Sequence, residues 1–287
     1  MTRAVTFHFF RHLTSEGLMT RISDLKGFSY PSPKGISNVV GNLPWHFGTE
    51  HMCIAYRSDP AAVAAYLPEP LEPSSEPDLV IVDFGKWYSL WDQPEMAIIN
   101  PERTWYQETV HWIGCRYKGE DARFCVQTWV NKDFSLVRGM IMGFNKRFGE
   151  TYKSTYQSQN PGMPSLGPGT SMGAYTASHG ERLFEGRLDI ERAISYDEIP
   201  ALMRWPQINL RYFPSMEPGG KPSVCELMRI ETTDFRKGVA FAGKGHLKLL
   251  PSVLEEHTNL EVREILGGTY FENGCTITGG KVLHSWV

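Results

Sequence analysis

A chain of 287 residues, 41% hydrophobic, can bury a full core without a partner, as one large β-rich domain or as two ordinary ones. Its 29 basic and 32 acidic residues give a formal net charge of -3; no basic stripe argues for nucleic acid, and no apolar run is long enough to cross a bilayer. Cys53, Cys115, Cys125, Cys225 and Cys275 are odd in number and form no C-x-x-C pair, which points to reduced thiols in a cytoplasmic protein rather than a disulfide frame or metal ribbon.

In chain order, Met1 to Phe10 carries one positive charge and a short apolar patch broken by His8, too short for a signal peptide. The favoured reading is a loosely ordered extension, or an upstream start with Met19 as the real one. Residues 1–40, with their Pro, Gly and Ser content, read as an arm or loop ahead of a single domain over 41–287. His51 to Arg57, Asp78 to Leu90, Trp105 to Tyr117, Arg123 to Val130 and Ser135 to Phe144 are rich in β-branched and aromatic residues and predict strands. Lys118 to Asp121 and Asn131 to Asp133 have hairpin-like lengths and turn-forming residues, so the pairing is expected to be antiparallel. After turn formers from Gln157 to Gly169, further strands are predicted over Glu181 to Ile194, Ser223 to Phe235, Val239 to Leu250 and Val262 to Val287. Asp59 to Leu67, with Asp before Pro and an Ala-rich body, predicts a helix, and a second is expected near Tyr196 to Trp205. The pattern is mostly β (α+β): a large antiparallel β domain with a few covering helices, without βαβ alternation or a fixed repeat.

Several motifs are weighed and set aside. Gly169 to Gly173 (GTSMG) matches the G-x-S-x-G nucleophile elbow with Ser171 as nucleophile, but that motif requires a strand-to-helix turn. Here turn formers precede it and an alternating, strand-like run follows. No glycine-rich phosphate loop is present. The pairs His46 with His51 and His8 with His12 lack a third ligand, so no metal site is expected.

Asp83 and Glu108 are carboxylates inside otherwise apolar or aromatic strands. Strand alternation puts Glu108 on the face of Tyr106 and Val110, away from Gln107 and Thr109. If that face is buried, an acid–base group results; if it is wet, Glu108 is an ordinary surface acid. Lys146 closes the apolar run Leu136 to Phe144 and precedes Arg147. A lysine amine is a nucleophile only when neutral, which requires exclusion of water, a neighbouring cation, or both. A Lys-Arg pair after a strand is otherwise a solvated turn.

Taken together, these segments resemble the acetoacetate decarboxylase superfamily from about Trp45 almost to the C-terminus. Ile54 to Glu72 (IAYRSDPAAVAAYLPEPLE) is similar to the family's Tyr-Arg-Thr-Asp, helix, Pro-Glu-Pro-Leu-Glu segment. Tyr106-Gln107-Glu108 resembles its Tyr-x-Glu, Gly143 to Arg147 falls where it has an aromatic residue, Pro and two lysines, and Pro222 to Leu227 resembles its Pro-x-x-Cys-Glu-Leu strand. The resemblance implies a cone-like antiparallel β-barrel that assembles into homo-oligomers. It implies Lys146 as the Schiff-base lysine, Arg147 as the cation that lowers its pKa, Glu108 as the active-site glutamate and Asp83 as a second acidic pocket residue. Acetoacetate decarboxylase is itself the standard illustration of this lysine activation.

Departures from the family bear on substrate. Arg147 replaces the second lysine and keeps a charge that cannot be lost. Asn145 replaces proline, Arg138-Gly139-Met140 stands for Gly-Arg-Glu, and Thr49 takes the place of an arginine in the substrate-facing acidic cluster. The chemistry implied is attack of Lys146 on a keto acid, loss of carbon dioxide into the iminium, and proton transfer by Glu108, with no cofactor because the iminium is the electron sink. The same iminium supports aldol or dehydration chemistry on a 2-oxo acid. Trp87, Trp91, Trp105, Trp112 and Trp129 suit either core packing or a larger substrate, and a β-barrel that binds a small carbonyl ligand without turnover is the third reading.

Overall fold

The protein is described by a computed structural model over residues 20–287. The readings of Met1 to Phe10 and of the His8–His12 pair lie outside the described residues. The chain divides after Gly41 into two compact units. In the first, Lys26 and Ser32 form an isolated bridge, and Asn38 Oδ1 accepts hydrogen bonds from the backbone N–H of Ser29 and Tyr30.

The second unit contains β1 (Trp45–Arg57), α1 (Pro60–Ala64), β2 (Glu72–Pro73), β3 (Leu79–Leu90), α2 (Met96–Ile99), β4 (Trp105–Tyr117) and β5 (Glu120–Val130). These are followed by α3 (Asp133–Met142), β6 (Lys146–Phe148), β7 (Glu150–Lys153), β8 (Ser171–Ser178) and β9 (Glu181–Ala193). The chain then forms α4 (Ala201–Arg204), β10 (Gln207–Phe213), β11 (Val224–Leu249) and β12 (Glu264–Ser285). The expected helix at Asp59 is present but short: Asp59 caps it by accepting from the Ala61 N–H at 2.8 Å, and Pro60 starts it. The two strands predicted over Ser223 to Leu250 are one continuous strand, β11.

All strands belong to one sheet in the order β10-β5-β4-β3-β1-β12-β11-β9-β8-β7, with β2 on β4 and β6 on β5. Because β10 pairs with both β5 and β11, the strands from β5 through β1 to β11 close into a ring. Pairing is antiparallel except where β5 meets β10 and β6. The fold is therefore the expected mostly β domain with a few covering helices.

Both faces of the central strands are buried, which explains the near-continuous apolar run in β3. One face packs Met52, Ile54, Tyr56, Val82 and Phe84 against Phe184 and Leu188 of β9. The other packs Cys53, Ala55, Ile81, Val110 and Trp112 beneath Ile199, Leu202 and Met203. Asp83 and Glu108 lie on this second face, which turns two carboxylates inward and makes their partners matter.

The prediction of a strand over Ser135 to Phe144 is overturned, since the segment is α3. Its buried positions are Phe134, Ser135, Arg138, Gly139 and Met142, a helical stripe in which Ser, Arg and Gly hide the apolar period. Gly143 ends the helix at φ 82°, the left-handed cap that glycine adopts without strain. The chain then turns back, and Lys146 opens β6 beside Thr128 of β5.

Candidate active site

Lys146 Nζ donates to Glu108 Oε2 at 2.6 Å and to Ser135 Oγ at 2.9 Å. Both members of the ion pair have side chains 3% exposed. The rings of Tyr106 and Phe144 lie 5.3 Å and 5.2 Å from the ammonium. Gly139 leaves the lysine its channel, because a methyl group there would collide with Lys146 Cδ and Cε. The amine is thus held between a helix and a sheet, out of water and beside one carboxylate.

Burial is the largest influence on Lys146 and lowers its pKa; Glu108 opposes this, and the charge of Arg138 adds to the lowering. Arg138 is fully buried, and its guanidinium faces the rings of Phe47 at 4.7 Å, Tyr106 at 5.5 Å and Trp45 at 5.7 Å. It donates to Ser89 Oγ at 3.2 Å, and among the described residues no carboxylate lies within ion-pair distance of it. Tyr106 bridges the two cations, with its phenol pushed well up by burial first and by the Glu108 charge second.

Arg147 is not brought to the amine. Successive side chains of β6 point to opposite faces, so Arg147 turns away from Lys146, pairs with Glu255 and remains 31% exposed. The neighbouring cation expected at 147 is instead Arg138, one helix turn from Ser135.

Asp83 accepts from His51 Nδ1 at 2.9 Å and 3.1 Å through its two oxygens, and both residues are buried. His51 thus stands where Thr49 was expected to face the second acid. Thr49 lies two residues earlier on the same face, opposite Trp87, and its buried hydroxyl has no partner among the described residues. His51, Cys53 and Asp83 bring one ligand atom each within 4.8 Å of one another. Asp83 already accepts hydrogen bonds from His51 and from Cys53, whose thiol is pushed well up by burial and then by the Asp83 charge. The cluster is therefore a satisfied hydrogen-bonded dyad with a protonated thiol, rather than a set of free ligands.

Ser171 is excluded as a nucleophile. It starts strand β8 rather than preceding a helix, and its Oγ donates to Asp189 at 2.5 Å. Hydrogen bonds from Ser171 and Arg187 hold the Asp189 carboxyl down at about 2, so it is no base for a hydroxyl proton.

A cleft of about 600 Å³ contains Phe47 and Ser89, two groups that contact Arg138, with His46, Asp234 and Arg236 also in its wall. A larger open groove of about 890 Å³ over Arg123, Tyr196 and Lys237 includes neither Lys146 nor Glu108. The smaller opening does not reach Lys146 or Glu108 directly either, but it ends on two groups in contact with Arg138. Ser135, Arg138, His51 and Trp87 were not assigned to the site from sequence. The helical spacing of Ser135 and Arg138, and the pairing of His51 with Gly85 two residues from Asp83, are the signals that locate them.

The family model for acetoacetate decarboxylase (ADC) matches residues 29–286. An acetoacetate decarboxylase of Chromobacterium violaceum is 28% identical over 247 residues, covering 85% of this chain and 90% of that protein. Among solved structures, the enduracididine biosynthesis enzyme MppR, complexed with the condensation product of pyruvate and imidazole 4-carboxaldehyde, superposes with a TM-score of 0.85 at 27% identity, covering 92% of this chain and 98% of that one. An acetoacetate decarboxylase-like enzyme from Sphingomonas wittichii RW1 gives 0.81 at 27% identity, covering 86% and 96%. No helix among the described residues is long and apolar enough to cross a membrane. By the match of its fold and of nearly the whole chain, the protein is a decarboxylase-like lyase and belongs to the acetoacetate decarboxylase family.

Proposed function

We propose that Lys146 forms a Schiff base with a keto acid and that the reaction is decarboxylation of a β-keto acid. The observation that carries this reading is the buried contact of Lys146 with Glu108 at 2.6 Å beside the Arg138 guanidinium, which has no carboxylate partner among the described residues. Ammonium and carboxylate share a proton, so its transfer to Glu108 creates the neutral nucleophile and the acid in one step. The amine adds to the ketone carbon, and Glu108 protonates the hydroxyl that leaves as water. The resulting iminium restores a positive charge where the ammonium stood. The carboxylate carbon then departs as carbon dioxide, and its bonding pair moves through the new carbon–carbon double bond to neutralise the nitrogen. The enamine takes a proton at carbon, and hydrolysis of the imine frees Lys146. Arg138 is placed to hold the substrate carboxylate, since a buried guanidinium without a carboxylate partner favours an anion.

A second reading, aldol or dehydration chemistry on a 2-oxo acid through the same lysine, is favoured by the likeness to MppR structures that hold pyruvate or its condensation product. Either reading fits a cytoplasmic enzyme with reduced thiols, and the five cysteines are free. Assembly as a homo-oligomer, as the family implies, agrees with Phe235 and Val239 of β11 being exposed.

The test is borohydride reduction with acetoacetate and with pyruvate, followed by peptide mass analysis and measurement of carbon dioxide. A reduced adduct on Lys146 with carbon dioxide released from acetoacetate is expected. An adduct with pyruvate but no release from acetoacetate selects the second reading, and no adduct with either compound rejects both.

A further inference from the structure

The two sides of the Lys146 amine differ chemically, and the difference points to a second substrate group. On one side stands Arg138, a permanent cation. On the other, cross-strand pairing places His51, Gly85 and Glu108 in one row across β1, β3 and β4. Adjacent strands are about 4.8 Å apart, so the backbones of His51 and Glu108 are separated by about 10 Å, roughly the span of a short carbon chain. Gly85 contributes no side chain to this row. The indole of Trp87 lies over it instead, and a Cβ at 85 would stand 2.5 Å from Trp87 Nε1.

Three hydrogen-bonding groups around this row are unused. Trp87 Nε1 is buried without a partner, as is Thr49 Oγ1 on the opposing strand residue. His51 uses Nδ1 on Asp83, and among the described residues Nε2 makes no hydrogen bond. The ring cannot turn freely, since it stacks on Phe271 at 4.5 Å and meets Trp87 edge-on at 5.4 Å. An orphaned buried N–H costs about 1–3 kcal/mol, so an acceptor belongs there when the site is filled.

Resting on the Schiff-base reading above, we propose that His51, Trp87 Nε1 and Thr49 Oγ1 form a subsite for an uncharged oxygen, a hydroxyl or carbonyl, carried by the substrate beyond the imine carbon. Trp87 can only donate, His51 Nε2 accepts because Nδ1–H is given to Asp83, and the Thr49 hydroxyl can do either, which suits a hydroxyl. A carboxylate has the better partner in Arg138. Asp83 is a positioning residue that fixes the tautomer and orientation of His51.

The test compares borohydride trapping of 4-hydroxy-2-oxopentanoate with that of 2-oxopentanoate, which lacks only the hydroxyl. The unmodified protein is expected to be half-trapped at about a 10-fold lower concentration of the hydroxylated acid, one good hydrogen bond's worth of preference. His51→Gln and Trp87→Phe should erase most of that preference, the ratio of the two half-trapping concentrations falling toward one in each variant, and Asp83→Asn should weaken it. Equal trapping of the two acids by the unmodified protein overturns the subsite, as does a preference that survives in Trp87→Phe or His51→Gln. If His51→Gln fails with both acids, Trp87→Phe decides alone, because it keeps the aromatic wall. Absence of any adduct in the unmodified protein instead rejects the lysine reading, and the subsite with it.

Discussion

Lys146→Ala is expected to leave no borohydride-trapped adduct with any keto acid and to lower kcat/KM by on the order of 10⁴-fold or more, the scale seen when a covalent nucleophile is removed. It should also lower stability by about 3–5 kcal/mol, because Glu108, 3% exposed, keeps a buried charge and loses its counter-ion. Urea unfolding measures this loss. The double variant Lys146→Met with Glu108→Gln should recover most of the stability and none of the activity, since both buried charges are gone and the volume is kept. Recovery of adduct formation in that variant would place the nucleophile elsewhere. The sign of the pH effect follows from the lowered pKa of Lys146. Between that lowered value and the ordinary lysine range near about 10.4, the unfolded chain binds the proton and the folded chain does not. The neutral amine therefore contributes stability that grows as pH rises through the window and is lost as pH falls below the folded value. Imine formation follows the same limb, rising with pH as the amine loses its proton.

Arg138→Met should raise the KM for a keto acid by about 100-fold, corresponding to about 3 kcal/mol for loss of a buried cation facing a carboxylate. The acid limb of kcat/KM should move to higher pH, because a like charge that helped to deprotonate Lys146 is gone. Arg147→Met is the contrast. Its charge pairs with Glu255 and is 31% exposed, so about 1 kcal/mol of stability or less is at stake and the limb should stay in place. A limb that moves with position 147 and ignores 138 would assign the neighbouring cation to Arg147. Steady-state rates across pH on the three proteins measure this.

The sheet was legible because its strands carry β-branched and aromatic residues between turn formers. Trp105 to Tyr117 begins and ends where its strand does. Alternation put Glu108 on the face of Tyr106 and Val110 but left open whether that face is buried, as it proves to be, and Lys146 was singled out by a resemblance in motif order. Two features were hidden for a common reason: each depends on residues distant in sequence that meet only through pairing or helical period. Arg138 belongs to a stripe whose other members include Ser135 and Gly139, so the segment lacked the apolar period of a helix and looked like a strand. His51 and Asp83 are 32 positions apart, and their contact depends on β1 and β3 pairing Cys53 with Asp83, a register that no single strand encodes. The choice of Arg147 over Arg138 came from adjacency in sequence, which on a strand separates side chains rather than joining them.

Gly139 sits inside α3, where alanine would favour the helix by about 1 kcal/mol. The vacancy it leaves is occupied by the aliphatic stem of Lys146. Protein engineers who score this position as a helix defect would harden the scaffold and evict the proposed nucleophile together, so thermostabilisation and turnover pull on the same atom-sized space. Directed evolution of this enzyme should leave position 139 alone and seek robustness on the far side of the sheet.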